Sequence, residues 1–457
     1  MIPVPLSRIA QWTGGRLHGA DVMLDAIETD TRTLESAGRS TLFVALVGER
    51  FDGHDHVATA STSGASAALV ARLVDVPLPQ VVVADTERAL AAFASALQRS
   101  RDTRVAAITG SNGKTSVKSL LLPMLAGAYA SPGNRNNEIG LPLAVIDAPE
   151  DAPFAIYEMG AGKPGDIAYL TAVVRPDVAL VNNIAPAHLE RMGSLLGVAD
   201  TKAAIYDALP SGGVAVINAD DAFAPYFAER AHGRRLIRFG LEASADVTAR
   251  DIASDTDGSR FTLATPQGDI EVHVALPGRH NVRNALAAAS MALGLGVSLQ
   301  AIRDGLAAAR PVAGRLVSHR LAGGATLVDD SYNANPGSLN AAIELLAQGS
   351  TQGREGWLVL GDMRELGDDA RALHAEAGRR AKAAGIARLY TLGALSAAAA
   401  EAFGDGARHF ESHEALSAAL IAASAAPTTT ILVKGSRGSA MDRIVNALLE
   451  GEGNDAA

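Results

Sequence analysis

The chain has 457 residues, enough for roughly three domains at about 150 residues each. Its 48% hydrophobic and 20% charged content excludes wholesale disorder, and a net charge of -10 argues against a broadly basic, non-specific nucleic-acid binder while leaving a local phosphate site open. With no cysteine, disulfides, zinc–cysteine centres and a thiol nucleophile are ruled out.

The first residues, MIPVPLSRIAQWTGG, lack the basic start and continuous apolar run of a signal peptide, so a cytoplasmic protein is expected. Apolar, β-branched runs then predict strands at 42–46, 67–70, 81–83, 105–108, 154–157, 178–181, 214–217, 327–328, 357–360, 388–392 and 431–433. Ala- and Leu-rich stretches of helical length separate many of them, which predicts an α/β protein with largely parallel sheets. The polar stretch 98–104 and the Pro/Gly-interrupted ARPVAGR at 309–315 mark boundaries, giving units 1–100, 101–312 and 313–457. Between 244 and 274 short alternating runs with Gly and Asp turns predict an antiparallel hairpin insertion. The uncharged stretch 415–433 approaches membrane-span length, but Pro427 interrupts it, and a short helix followed by a strand is the better reading.

The strongest local signal is VAAITGSNGKT at 105–115. An apolar strand enters a Gly-rich turn and a helix starts near Lys114, so backbone N–H groups and a helix N-terminus can face a phosphate chain. Gly110 and Gly113 permit close backbone approach, with Ser111 and Asn112 between them and Ser116 just beyond. Lys114 would neutralise the β/γ-phosphates and the Thr115 hydroxyl would help hold Mg²⁺. The standard spacing wants a glycine at 108, where this chain has Ile108, so the loop is a shorter T-G-x-x-G-K-T form. Glu158 and His188 follow the strands 154–157 and 178–181, beyond strand carboxyl ends where open α/β sheets bind ligands. Glu158 suits Mg²⁺; His188 alone reads more simply as a packed or surface histidine, and Lys202 as a solvated helix lysine.

Taken together, TGSNGKTS, NRNNEIGLPL, YEMGAGKPGDI, NNIAPAHLERMGS, LPGRHNVRNALAA, DDSYNANPGS, LGDMRELG and LVKGSRGSAMD resemble the Mur ligase family over nearly the whole chain. The phosphate loop is shared with folylpolyglutamate synthases, and the C-terminal motifs narrow the resemblance. It implies three domains: a central P-loop ATPase-like parallel sheet flanked by a small N-terminal α/β domain and a C-terminal Rossmann-like domain. It also implies ATP-dependent joining of D-alanyl-D-alanine to a UDP-N-acetylmuramoyl-tripeptide for peptidoglycan synthesis, through an acyl phosphate, by a monomer that engages neither nucleic acid nor membrane.

The resemblance carries roles to individual residues. Lys114 and Thr115 serve ATP and magnesium. Glu158 and His188 match ligands of a two-Mg²⁺ site, and Lys202 matches a lysine carbamylated by CO₂. Asn281 and Asn284 match positions near adenine; Arg315, Asp330, Tyr332 and Asn335 match the C-terminal contribution to ATP. Lys434, Ser436 and Arg437 are placed to receive the dipeptide, Arg437 as a catalytic contributor. Asn136 and Asn137, with Asp30, Thr31, Arg32, Phe51, Asp52, Gly53 and His54, are expected to contact the UDP substrate. Thr31 and Arg135 depart from the family pattern.

Two alternatives compete. Another amide ligase of the Mur and folylpolyglutamate synthase superfamily could carry a different amino acid, but the Asp-Asn-Pro-Arg motif of a diaminopimelate-adding member is missing and GDMRELG stands at 361–367. A nucleotide-switch binding module would need neither Lys434-Gly-Ser-Arg437 nor a third domain, and the guanine signature Asn-Lys-x-Asp is absent.

Overall fold

The computed structural model describes residues 1–34, 39–186, 189–254, 258–350 and 353–450. His188, expected as a metal ligand, lies outside the described residues.

Each of three sheets organises one part of the chain. The N-terminal sheet runs Arg16–His18, Gln80–Val82, Ala65–Val70, Thr41–Val44, Ala26–Glu28, parallel except for its first pair. Helix Thr86–Arg99, capped by Asp85, buries Leu90, Phe93 and Leu97, and Phe93 stacks on Trp12 at 6.0 Å.

The central sheet is entirely parallel: Arg235–Phe239, Val214–Asn218, Val178–Val181, Arg104–Thr109, Phe154–Glu158, Tyr129–Ala130. Its strands are buried on both faces, which explains their unbroken apolar runs. Val105 and Ala107 face a core shared with the N-terminal helices, whereas Ala106 and Ile108 face helices Lys114–Leu121 and Arg279–Gly294. The strand entering the phosphate loop has a neighbour on each side, so the loops after 109, 158 and 181 meet at one crevice. The expected hairpin insertion is a three-stranded antiparallel sheet, Thr248–Ser254, Ser259–Thr265 and Gly268–Val274, whose Phe261, Leu263, Val272 and Val274 join the same core as Val282 and Leu286.

The C-terminal sheet runs Val317–Arg320, Thr326–Asp330, Thr429–Lys434, Glu355–Gly361, Arg388–Leu392, Ala407–Phe410, parallel apart from its antiparallel first strand. The stretch 415–433 folds as the end of helix His413–Ala422 followed by strand Thr429–Lys434. Among the described residues no helix is long and apolar enough to cross a membrane.

Candidate active site

One cavity of about 790 Å³ opens between the central and C-terminal parts. Gly110, Ser111, Asn112, Gly113, Lys114, Thr115 and Ser116 line one side, with Glu158 and Lys202; Arg315, Asp330, Tyr332, Asn335, Lys434 and Arg437 line the other.

The phosphate loop is held from below by asparagines. Ser111 N donates to Asn183 O at 2.9 Å and Asn112 N to Asn183 Oδ1 at 2.8 Å. Two of the amides expected to face phosphate are therefore used within the protein. Asn182 Nδ2 donates to Asn112 O (2.9 Å) and to Asn284 Oδ1 (3.1 Å), and Asn284 Nδ2 donates to Asn281 Oδ1 (3.3 Å). Asn281 and Asn284 thus form a ladder that ends under the loop. Gly113 has φ +79°, and a Cβ there would lie 2.5 Å from both Asn182 Nδ2 and Asn284 Oδ1. Glycine is required twice over at this position, by backbone conformation and by space.

Lys114 opens its helix and donates from Nζ to Gly110 O at 2.8 Å. Burial pushes its ammonium below the ordinary lysine value, and the Glu158 carboxylate opposes the shift. Glu158 is 4% exposed. Burial alone would raise its carboxyl, but Lys114, Lys118, the donated Thr115 hydroxyl and Arg315 hold it below the usual glutamate range. Thr115 Oγ1 donates to Glu158 Oε2 at 2.8 Å and accepts from Arg315 Nη2 at 2.9 Å. Asn136 Nδ2 donates to Glu158 Oε1 at 3.1 Å. Lys118, which the sequence reading passed over, sits 3.5 Å from Glu158 Oε2 and donates to Ser131 O and Gly133 O. Its spacing of four from Lys114 on one helix was the available signal.

Among the described residues, no three His, Cys, Asp or Glu side chains gather as a metal cage. The donors present fit magnesium nonetheless. An ionised carboxylate and a hydroxyl are hard oxygen ligands, and Mg²⁺ ordinarily takes one or two such protein groups beside substrate phosphates and water.

Lys202 lies in helix Leu195–Asp207 and is 2% exposed, not solvated. Burial, with help from the Lys114 charge, brings its ammonium down to about 7.

Across the cavity, the Arg315 guanidinium lies 4.3 Å from the Tyr332 ring centroid. Asn335 Nδ2 donates to Asn112 Oδ1 at 2.7 Å, tying the C-terminal part to the phosphate loop. Lys434 Nζ donates to Asp330 Oδ2 at 2.5 Å and to Asn333 O at 3.0 Å. Burial raises the Asp330 carboxyl and Lys434 opposes it. Ser436 Oγ donates to Ala334 O at 3.1 Å and accepts from Arg364 N at 2.9 Å. Lys434 and Ser436 therefore brace the 330–335 turn. Arg437 is the exposed member of that trio, 5.6 Å from the Tyr332 ring and 3.6 Å from Asp442.

The residues expected at the UDP moiety divide. Asn136 and Asn137 line the cavity; Asp30, Thr31, Arg32, Phe51, Asp52, Gly53 and His54 do not. Thr31 and Arg32 form a short 3-10 turn whose cap is Asp30, and the Arg32 guanidinium, with its backbone N–H, holds Asp30 down at about 2. His54 is buried. Its Nδ1 donates to Asp52 Oδ1 (2.5 Å) while Nε2 accepts from Ala71 N (2.8 Å), which fixes the tautomer. Asp52 also meets Arg72 at 2.9 Å. A Cβ on Gly53 would lie 2.6 Å from Leu46 O. Phe51 stands 58% exposed.

The Mur ligase middle domain matches residues 108–292 and the Mur ligase glutamate ligase domain matches 314–437. The chain belongs to the Mur ligase family. Within the Mur ligases it is 44% identical to the UDP-N-acetylmuramoyl-tripeptide--D-alanyl-D-alanine ligase of Escherichia coli K12, over 98% of this chain and 99% of that one. It is 34% identical to the enzyme of the same name from Bacillus subtilis, over 98% and 99%. The solved structure of MurF from Acinetobacter baumannii superimposes with a TM-score of 0.91 at 33% identity, covering 98% of this chain and 99% of that one. MurF ligase from Thermotoga maritima in complex with ADP gives 0.84 at 25% identity, covering 95% and 99%. The three-domain Mur ligase fold expected from the sequence is thereby shown.

Proposed function

We propose that this Mur ligase joins D-alanyl-D-alanine to a UDP-N-acetylmuramoyl-tripeptide in the cytoplasm, as a monomer, with ATP converted to ADP and phosphate. The observation that carries the proposal is the cavity in which the phosphate loop faces Arg315, Tyr332, Asn335 and Arg437. Whole-length identity to enzymes of that name supports the same reading. Residues 1–100 serve as the UDP-substrate unit, 101–312 as the ATP unit and 313–457 as the dipeptide unit.

A carboxylate is a poor acylating agent, and its approach to a triphosphate is repelled by like charge. Lys114 and the loop lower that repulsion and stabilise charge on the transferring phosphoryl group, with Arg315 entering from the other side. Thr115 and Glu158 would hold Mg²⁺, which would supply further neutralisation of phosphate charge. Attack of the tripeptide carboxylate oxygen on the γ-phosphorus forms the acyl phosphate and releases ADP. Attack of the dipeptide amine on the acyl carbon then releases phosphate. Arg437 holds the dipeptide carboxylate and aims the amine. Contact between the C-terminal turn and the phosphate loop excludes water from the acyl phosphate.

Lys202 enters this reading as a carbamate. CO₂ adds to a neutral amine, the N–C bond forms and a proton leaves; a buried lysine titrating at about 7 keeps a large neutral fraction at neutral pH. The product is an anion that, with His188 as the other expected ligand, would support a second Mg²⁺. Asn281 and Asn284 at the adenine, and Asp30, Thr31, Arg32, Phe51, Asp52, Gly53 and His54 at the UDP moiety, complete the assignment.

The test is ADP release with UDP-N-acetylmuramoyl-tripeptide, offering D-alanyl-D-alanine, single amino acids or no acceptor in parallel. Rapid release with the dipeptide alone is expected. Equal release with glutamate, lysine or diaminopimelate would move the chain to another branch of the family.

A further inference from the structure

The cavity carries Lys114, Arg191, Arg315 and Arg437 on its walls, and of the carboxylates that also line it Glu158 lies against Lys118 and Lys114 and Asp330 is paired with Lys434. That charge suits a triphosphate and a carboxylate but repels the ammonium of an incoming dipeptide. A negative group on the C-terminal side is required to bring that end of the acceptor in, and one residue there is built in an unusual way.

After strand Glu355–Gly361 the chain turns through 362–367. Asp362 Oδ1 accepts from Leu395 N (3.1 Å) and Ser396 N (2.8 Å). Met363 N donates to His374 Nε2 at 2.9 Å and Arg364 N to Ser436 Oγ at 2.9 Å. Met363 and Leu366 are buried. Between these anchors Glu365 adopts φ +63°. Two residues later φ is +66°, and there the chain uses glycine, Gly367. The left-handed region costs any residue with a Cβ, and glycine is its ordinary occupant. The chain thus relieves the strain at 367, which does not line the cavity, and keeps a carboxylate in it at 365, which does. Strain of this kind persists where the surroundings over-determine the backbone, and it gathers at working positions.

The neighbours of Glu365 place it at the acceptor end of the cavity. A Cβ on Gly438 would lie 2.8 Å from Arg364 Nη1, so the 362–367 turn packs on the turn that carries Arg437. A Cβ on Gly367 would lie 3.9 Å from Glu190 Cβ, so the same turn abuts helix Leu189–Met192 of the central part.

We propose that the Glu365 carboxylate, held at φ +63° in the turn between Asp362 and Gly367, receives the ammonium of the incoming dipeptide while Arg437 receives its carboxylate. This inference rests on the ligase reading above. A zwitterionic acceptor is then gripped at both ends by groups from adjacent turns, which sets its direction and rejects acceptors lacking a charged amine.

Steady-state kinetics of Glu365→Gln and Glu365→Gly test it. In both variants the KM for D-alanyl-D-alanine is expected to rise about tenfold or more, the effect of losing a charge-assisted contact, while KM values for ATP and the UDP-tripeptide move less than about twofold. The Gly variant relieves the backbone, so its melting temperature should equal or exceed the parent's while its dipeptide KM still rises. N-acetyl-D-alanyl-D-alanine, tried as a competitor, should bind the parent far more weakly than the dipeptide, and both variants should lose that discrimination. Unchanged dipeptide KM in both variants, or retained discrimination, overturns the inference while leaving the ligase reading intact. A parent that releases no ADP with the dipeptide overturns both.

Discussion

The phosphate loop and the 51–54 turn both follow parallel strands, yet their side chains are used differently. At the phosphate loop, groups from three separate stretches converge: Thr115 meets Glu158 and Arg315, and Asn112 meets Asn183 and Asn335. At 51–54, Asp52 binds His54 two residues away and Arg72 nearby, and Asp30 likewise binds Arg32. The first arrangement assembles a reaction centre from distant parts of the chain. The second stabilises a local turn and leaves Phe51 exposed. Contacts between distant parts of the chain therefore concentrate at the phosphate loop, whereas the 51–54 turn is built from close neighbours.

Four substitutions sharpen or break that contrast, taken from the largest expected effect. Lys114→Ala should lower turnover about a thousandfold with the circular-dichroism spectrum retained, because the proposed role of the lysine is to supply charge at the transferring phosphoryl while its hydrogen bond within the fold is a local one, to Gly110 O. Wild-type turnover in this variant would remove the phosphate-loop assignment. Lys202→Ala should lose about a hundredfold, and formate or acetate should restore part of it by replacing the carbamate anion. Full activity without added carboxylate would exclude the carbamate. Arg32→Ala should raise the KM for the UDP substrate about fivefold with kcat and melting temperature little changed, since the Arg32–Asp30 pair is solvent-exposed. A collapse of kcat there would show that the two regions are not separable.

The fourth substitution concerns acid stability and leaves activity at neutral pH aside. Burial, reinforced by Lys434 and Arg283, brings His280 down from 6.5 to about 4, and its Nε2 is buried with no partner among the described residues. The unfolded chain takes up this proton as pH falls below 6.5, while the folded chain resists until about 4. Stability should therefore fall across that window, by up to about 3 kcal/mol from this group, and be insensitive to it above 6.5. Urea unfolding of His280→Gln between pH 7 and 4 should show a shallower decline than the parent.

Strand interiors were legible in the sequence because two-sided burial leaves unbroken apolar runs, as at 105–108 and 178–181. The edge strands Arg235–Phe239 and Ala407–Phe410 escaped notice. Arg235 and Arg238 in the first and Arg408 and His409 in the second are exposed, so neither RLIRF nor ARHF offers an unbroken apolar run. Within the site, Gly113 and Lys114 were legible because loop chemistry constrains residue type directly. Asn182 and Asn183 were not, since an amide bracing a neighbouring turn leaves no spacing rule. Lys434 and Ser436 show the converse: their motif pointed to ligand contact, and only tertiary contacts reveal their bracing of the 330–335 turn.

Asn112 is fastened at its amide, its carbonyl and its side chain by Asn183, Asn182 and Asn335. A triphosphate arriving at such a loop meets a receptor that has already surrendered its conformational freedom during folding. Little disorder remains to be lost on capture, so nucleotide affinity is less diminished by entropy and the encounter resembles docking into a mould more than shaping one.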